Sequence, residues 1–212
     1  MSKRLIIILV IILIANLLFV GVTLSNSFYN SYQADDMKVE VEIHQESSGE
    51  LDVILKKQDY ILSQIANEDL SQIAATVNGE PIYLRFAFVT FLFNEAAGIE
   101  STFEDVLTHM ILDEVVYQEA KHQGYSLGYE EAKELVKQTK VLLRNDEASY
   151  EVYKLLLKAV NFTEDEYWDY CTKMYQKHFA REKFMESIDA DQLDATINNI
   201  KDLANVIILY EQ

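Results

Sequence analysis

Few residues of this 212-residue chain have types and spacings suited to catalysis or metal binding. His109 and Asp113 stand four residues apart, which places two ligands on one face of a helix, but two ligands do not make a metal site. Cys171 and His178 lie two helical turns apart, too far for a nucleophile and its base. We therefore expect no metal, no cofactor and no catalytic centre, and we interpret Cys171 and His178 as core residues.

The carboxylates do not single out a catalytic pair either. The acidic clusters at residues 130–131 and 164–166 precede helical patterns, where negative charge interacts favourably with the helix dipole. No GxG phosphate loop is present. A pair of catalytic carboxylates of the glycosidase type remains an open alternative, because no spacing pattern distinguishes two of the 35 acidic residues from the rest. The sequence favours a protein that is not an enzyme.

Aromatic residues are the more informative group. The run "RFAFVTFLF", residues 85–93, contains four phenylalanines on a predicted helix that is apolar on two sides. We interpret the stripe of Phe86, Val89 and Phe93 as core. The other side, with a second aromatic stripe near residue 170, predicts a surface for client polypeptides, because exposed aromatic patches commonly mark binding sites. The predicted client-binding residues are Phe88, Phe91, Trp168, Tyr170 and Tyr175.

Helices must position these aromatics, and the sequence predicts a mainly α fold. Helical spacing indicates an amphipathic helix at residues 50–67 and another at residues 82–97 that ends at Gly98. Ser101 with Glu104, and Thr163 with Glu166, have the spacing of capping boxes at two further helix starts. Additional helical patterns fill residues 129–160 and 190–203.

Two short strands are predicted near the ends of this helical region. Residues 73–77 precede Asn78-Gly79, a favoured tight-turn pair, and Pro81 then suits the first turn of a helix. The run "NVIILYE" at residues 205–211 is rich in strand-forming residues. Because an isolated strand leaves backbone groups unpaired, we expect residues 73–77 to pair with residues 206–210 in a small β-ribbon.

The N-terminus predicts a membrane segment. Lys3 and Arg4 precede the uncharged apolar run at residues 5–24, which is long enough to span a bilayer, and the two cations favour a cytoplasmic N-terminus. The alternative is a cleaved signal peptide with "SNS", residues 25–27, as a weak site. Both interpretations export the remainder of the chain.

The exported part is strongly acidic and divides into two units. Residues 28–212 contain 16 Lys and Arg against 35 Asp and Glu, a net charge of −19, which argues against nucleic-acid binding. We expect residues 28–72 to form a spacer and an amphipathic stalk helix, and residues 73–212 to form the folded domain. Within the spacer, "MKVEVEIH" at residues 37–44 alternates apolar and polar residues, as in a short strand or an extended tether.

Several motifs, taken in order, resemble the N-terminal chaperone domain of SurA-type and PrsA-type extracytoplasmic foldases, a fold related to part of trigger factor. The motifs are "ATVNGEPIYLRFAF", "MILDEVVYQEAKHQGYSLGYEEAKELV", "NFTEDEYWDYCTKMYQKHFAREKF" and "ANVIILYE". Gly128 stands where that family often has an acidic residue. The resemblance covers residues 73–210 and implies a bacterial protein that binds unfolded or newly exported polypeptides in an apolar groove.

One departure limits this expectation. PrsA-type foldases carry a parvulin isomerase domain before the closing strand, whereas only "IDADQLDATINNIKDLAN" lies between Ser187 and Val206. The resemblance thus implies a membrane-anchored chaperone without isomerase activity. The alternative is an adaptor or assembly subunit that binds one folded partner. A residual prolyl isomerase is the least favoured hypothesis.

Overall fold

The computed structural model describes residues 52–210 of the chain. Within that range the protein is mainly helical with one small sheet, as predicted. In chain order the elements are α1 (Gln58–Ile65), β1 (Ile73–Val77), β2 (Glu80–Tyr83), α2 (Leu84–Ala97), α3 (Phe103–His122), α4 (Tyr129–Leu143), α5 (Glu147–Val160), α6 (Glu164–Glu186), α7 (Leu193–Leu203) and β3 (Val206–Ile208).

The sheet has the strand order β2-β1-β3, and both pairings are antiparallel. Thr76 of β1 lies opposite Ile207 of β3, and the turn residue Asn78 bonds to Asn205 through both its amide N–H and its side-chain Oδ1. The predicted pairing between the two ends of the domain is therefore confirmed.

The strand β2 corrects the prediction that Pro81 opens a helix. Asn78 and Gly79 form a tight turn with φ values of 50° and 89°, and the chain then returns as a strand with Pro81 opposite Thr76. Turns with two positive φ values match the twist of a hairpin. Proline is tolerated there because β2 is an edge strand. The helix α2 consequently starts at Leu84 rather than at residue 82.

The helix α2 forms the centre of the core. It ends at Gly98, whose φ of 81° is the left-handed conformation that a helix C-terminus favours, as predicted. Phe86, Val89 and Phe93 are buried, which confirms their interpretation as core residues. Its second side is also largely buried, because α1, α3 and α5 pack around it.

The helix caps correct one prediction and confirm another. Ser101 and Glu104 do not form a capping box. Thr102 caps α3 instead: its hydroxyl accepts a hydrogen bond from the Asp105 amide at 3.1 Å, and the Asp105 carboxylate accepts one from the Thr102 amide at 2.8 Å. Both pairs have the same spacing, so the pattern alone did not distinguish them. The predicted box of Thr163 and Glu166 is present at the start of α6.

The helix predicted at residues 50–67 packs onto the domain. It is present as a helical stretch at residues 52–56 followed by α1, with Lys57 between them. Ile54 and Ile61 are buried in the same cluster as the core of α2. The Tyr60 hydroxyl also donates to the Glu95 carboxylate at 3.1 Å. This helix, placed by sequence in the spacer unit of residues 28–72, is therefore part of the packed body.

A second, smaller cluster joins α3, α6 and α7. Val116, Ala120, Ala180 and Phe184 are buried in it, and Ile197 of α7 packs against it. Among residues 52–210, no helix is both long and apolar enough to cross a membrane. The predicted membrane segment at residues 5–24 and the spacer at residues 28–51 lie outside the described residues.

Candidate functional site

The five predicted client-binding residues are mainly inside the fold. Phe88, Trp168 and Tyr175 are buried, and Phe91 and Tyr170 are half-buried. An exposed aromatic groove built from these five side chains is therefore not present. The correction has a physical reason: a helix that is apolar on two sides is buried on both when enough neighbours are available.

The phenylalanine side chains belong to two separate groups. Phe88 and Phe91 each lie with their ring centroids 6.4 Å from that of Phe103, at the start of α3. The Phe103 ring in turn lies 5.2 Å from the Tyr210 ring, a contact that holds the residues after β3 against the core. Tyr170 belongs to the other group and stacks on Phe86 at a centroid distance of 4.4 Å.

The remaining two predicted residues pack under α4 and α5. The Trp168 ring lies 5.5 Å from Tyr153, and the Lys140 ammonium covers its outer face at 5.0 Å. The Tyr175 hydroxyl is 2.8 Å from the Thr139 hydroxyl. Burial raises the pKa of Tyr175 to about 12, so this phenol stays protonated and serves as a structural hydrogen-bonding group.

The residues considered for catalysis and metal binding are not brought together. His109 Nδ1 lies 3.0 Å from the Asp105 carbonyl, whereas Asp113 pairs with Arg181 at 2.6 Å. Cys171 is buried, and desolvation raises the pKa of its thiol to about 12, so it is not a thiolate at neutral pH. Among residues 52–210, no cluster of three or more potential metal ligands occurs.

A polar cleft of about 620 Å³ lies between the Asn78 turn, α3 and α6. Part of its lining forms a hydrogen-bond network. The buried Glu114 carboxylate accepts hydrogen bonds from Lys177 at 2.5 Å and from Gln118 at 3.0 Å, and Gln118 also donates to the Val77 carbonyl. We interpret this network as a structural connection between the sheet and the two helices.

One exposed apolar surface lies on the sheet. Side chains alternate between the two faces of a strand, so the residues on the side away from the helices form one continuous surface. Four of them are large, apolar and between 38% and 55% exposed, and two smaller or less exposed residues lie between them. A register shift between Ile73 and Ala75 brings Ile73 to the same face as its partner Tyr83. This outer sheet face comprises Ile73, Thr76, Pro81, Tyr83 and Ile207, together with Leu209 directly after β3.

Sequence reasoning missed the outer sheet face although a signal was present. The residues Val206, Ile207, Ile208 and Leu209 are all apolar. A half-buried strand normally alternates apolar and polar residues, so an unbroken apolar run places apolar side chains on both faces. That run correctly predicts a strand, and it also indicates that the face away from the helices is apolar.

His178 occupies an unusual position on α6. Its Nδ1 is buried without a hydrogen-bond partner, and its Nε2 lies 3.9 Å from Glu182. Desolvation, assisted by the nearby Arg181 guanidinium, lowers the pKa of His178 to about 4, although Asp113 opposes this shift. His178 is therefore neutral at pH 7, as expected for a residue that packs rather than reacts.

We expect acid to destabilise the fold through His178. Between pH 6.5 and 4 the unfolded chain binds a proton that the folded chain does not, so stability falls as the pH falls, by about 1–3 kcal/mol from this residue. Urea unfolding of fragment 28–212 at pH 7 and pH 4.5 measures the change. His178→Gln should reduce it, whereas His122→Gln, at an exposed site, should not. Equal pH dependence in all three proteins would contradict the assignment.

No protein-family model, curated protein or solved structure matches the chain.

Proposed function

We propose that this protein is a membrane-anchored, extracytoplasmic chaperone-like protein of a bacterium that binds unfolded or newly exported polypeptides without isomerase activity. The observation that carries the proposal is the outer sheet face, an exposed apolar surface of four large side chains on the three-stranded sheet and directly after β3. Contiguous exposed apolar patches commonly mark interaction sites for other chains. The proposed client surface is this face rather than a groove between helices.

The chemistry of the outer sheet face suits segments of varied sequence. Its exposed members are Ile73, Tyr83, Ile207 and Leu209, and none of them is an acidic or a basic residue. Apolar burial is not directional, so such a face discriminates weakly among client side chains. Tyr83 adds a ring with a polar tip, which contributes contact area at low entropic cost.

The rest of the molecule supports this role. The net charge of −19 over residues 28–212 favours solubility of a complex with an aggregation-prone chain. The predicted membrane segment at residues 5–24 would hold the domain near the site where exported chains emerge. The resemblance to SurA-type and PrsA-type domains points to the same function.

Removing apolar area from the outer sheet face should weaken client capture. In the double variant Ile207→Ser, Leu209→Ser, we expect about a 10-fold loss of affinity for an unfolded model polypeptide, because two partly exposed aliphatic side chains no longer contribute to burial. The matched control is Val141→Ser, since Val141 is 58% exposed and its helix α4 packs mainly against α5 and α6. Suppression of aggregation by the full chain in detergent is the measurement.

Three outcomes would contradict parts of the proposal. Equal losses of client affinity in the control and in the double variant would contradict the assignment of client binding to the outer sheet face. A photoreactive residue at position 209 that yields one recurring adduct in membranes, rather than many exported proteins, would favour an adaptor with a dedicated partner. Acceleration of proline-limited refolding by the purified chain would show that it is an isomerase.

A further inference from the structure

The two edges of the sheet differ in what they offer to a further strand. The β2 edge carries Pro81, which has no N–H to donate, and the charged Glu80. Proline and charged residues on an edge strand hinder pairing with another strand. The β3 edge, residues 206–208, has neither feature. Within residues 52–210, no strand lies beyond β3, so this edge is the side of the sheet that can accept another strand.

The backbone of β3 directs hydrogen-bonding groups to this open side. The Asn205 carbonyl and the Leu209 amide both bond to the chain of β1 or its turn. In an antiparallel ladder, alternate residues direct their N–H and C=O groups to opposite sides. The N–H and C=O groups of Val206 and Ile208 therefore point away from β1. Such a row of groups is what an extended polypeptide pairs with when it adds to a sheet edge.

The β3 edge is apolar on both faces of the sheet. Ile207 and Leu209 belong to the outer sheet face and are 48% and 55% exposed. Ile208 lies opposite the buried Ala75 and so shares the face that packs on the helices, yet it is 59% exposed. A strand added to this edge would cover Ile208 with one side chain and extend the outer sheet face with the next, because side chains alternate between the faces.

The charge around the edge indicates which segments bind there. Residues 189–210, which include α7 and β3, contain four aspartates against one lysine, a net charge of −3. Desolvation raises the pKa of Tyr210, and the negative charge of Glu68 adds to this shift, so a further acid lies near the end of the edge. Electrostatic complementarity therefore favours a segment that carries lysine or arginine and disfavours an acidic one.

The same features argue against a second copy of the chain as the occupant. Each copy would bring a net charge of −19 from residues 28–212, which opposes association. An edge of three residues is also short for a stable dimer, which buries roughly 1,200 Å² or more of total surface. A short edge suits the weak and reversible contacts of a chain that binds unfolded polypeptides.

We propose that the open edge of β3 binds a client segment as an added strand, through the N–H and C=O groups of Val206 and Ile208. The segment is extended, places aliphatic side chains beside Ile208 on one face and Ile207 on the other, and is flanked by lysine or arginine. This inference rests on the proposed function and names the class of segment that binds beside the outer sheet face. Main-chain hydrogen bonds supply affinity in this mode, so clients of varied sequence can bind.

Amide hydrogen exchange of the full chain in detergent, followed by NMR, tests the pairing. The probe is a short peptide of alternating valine and isoleucine with lysines at both ends. In the free chain, the amides of Val206 and Ile208 should exchange fast, and those of Ile207 and Leu209 slowly. With the peptide at saturation, exchange at Val206 and Ile208 should slow about 10-fold or more, because a hydrogen-bonded amide exchanges only after opening. Unchanged exchange at both positions with the peptide bound would overturn the proposal.

A proline variant with a matched control tests the same edge by affinity. Ile208→Pro removes an N–H that points away from β1 and should weaken peptide binding about 10-fold, because proline on an edge blocks pairing. Ile208→Ala keeps the N–H and should lose about 3-fold or less, since only part of one side chain is removed. Equal peptide affinities of Ile208→Pro and the wild type would contradict the proposal.

A change of peptide charge tests the predicted class of segment. The same peptide with glutamates in place of its lysines should bind about 10-fold more weakly at low salt, and this difference should shrink as salt screens the charges. Equal binding of the two peptides at low salt would contradict the preference for cationic segments.

The outcomes separate this inference from the proposed function. If neither the peptide nor an unfolded model polypeptide binds the chain, both fail. If Ile207→Ser, Leu209→Ser abolishes binding while bound peptide leaves exchange at Val206 and Ile208 fast, client binding by the outer sheet face stands and the added strand is wrong. Slow exchange at both amides before peptide is added would also overturn the inference, because the edge would already be occupied. Sedimentation equilibrium would then show whether the occupant is a second copy.

Discussion

Replacing Phe88 by alanine is expected to lower the free energy of unfolding of fragment 28–212 by about 3–5 kcal/mol. Phe88 is only 9% exposed, and its ring packs near Phe91 and Phe103. Removing a buried ring loses its transfer free energy and leaves a cavity that the surrounding helices fill only in part. Urea unfolding followed by far-UV circular dichroism measures the loss.

A matched measurement separates this structural role from client binding. Val141→Ala, at a position that is 58% exposed, should change the free energy of unfolding by less than about 0.5 kcal/mol. Under conditions in which Phe88→Ala remains folded, its client affinity should equal that of the wild type. A loss of unfolding free energy below about 1 kcal/mol, combined with a loss of client binding, would contradict the structural role and would support Phe88 as a client-binding residue.

Ile61→Ala should be nearly as damaging, with an expected loss of about 2–5 kcal/mol. Ile61 is fully buried between α1 and the body of the domain, although the sequence places this helix in a stalk. If α1 were a detachable stalk, the same substitution would change only the local helix. The free energy of unfolding of fragment 28–212 therefore decides whether α1 belongs to the domain.

The neighbouring helical stretch provides the control for this prediction. Val53 is an apolar residue in the helical stretch just before α1, but it is 37% exposed. Val53→Ala should cost less than about 1 kcal/mol, because little apolar area is lost. Similarly small losses of unfolding free energy at positions 53 and 61 would mean that α1 packs only weakly. The helix would then belong to the spacer rather than to the domain.

Packing of α1 also bears on the predicted apolar groove. Sequence patterns indicate an amphipathic helix at residues 50–67, and its apolar stripe requires a partner surface. In the structure that surface is α2 and α5, so the helix occupies part of the space that a client would have used. An exposed apolar surface is found instead on the outer sheet face.

Local elements of the fold were predictable because their causes are local. Gly98 ends α2 through its left-handed backbone, and Thr163 with Glu166 starts α6 through a capping box. The partner of β1 was also predictable, since an isolated strand at each end of the domain needs hydrogen bonds. The strand β2 was not predicted, because Pro81 suits both a helix start and an edge strand.

The amino-acid sequence by itself determined where most of the helices and two of the three strands form, that the ends of the domain pair, and that residues 28–212 are acidic. Only the tertiary structure decided which apolar side chains are buried. Phe88 and Ile207 are both apolar, and periodicity does not tell which of them is covered. Coverage depends on how many neighbours reach each face: several helices surround α2, whereas no described element covers the outer sheet face. The candidate binding surface therefore follows from packing rather than from a sequence motif.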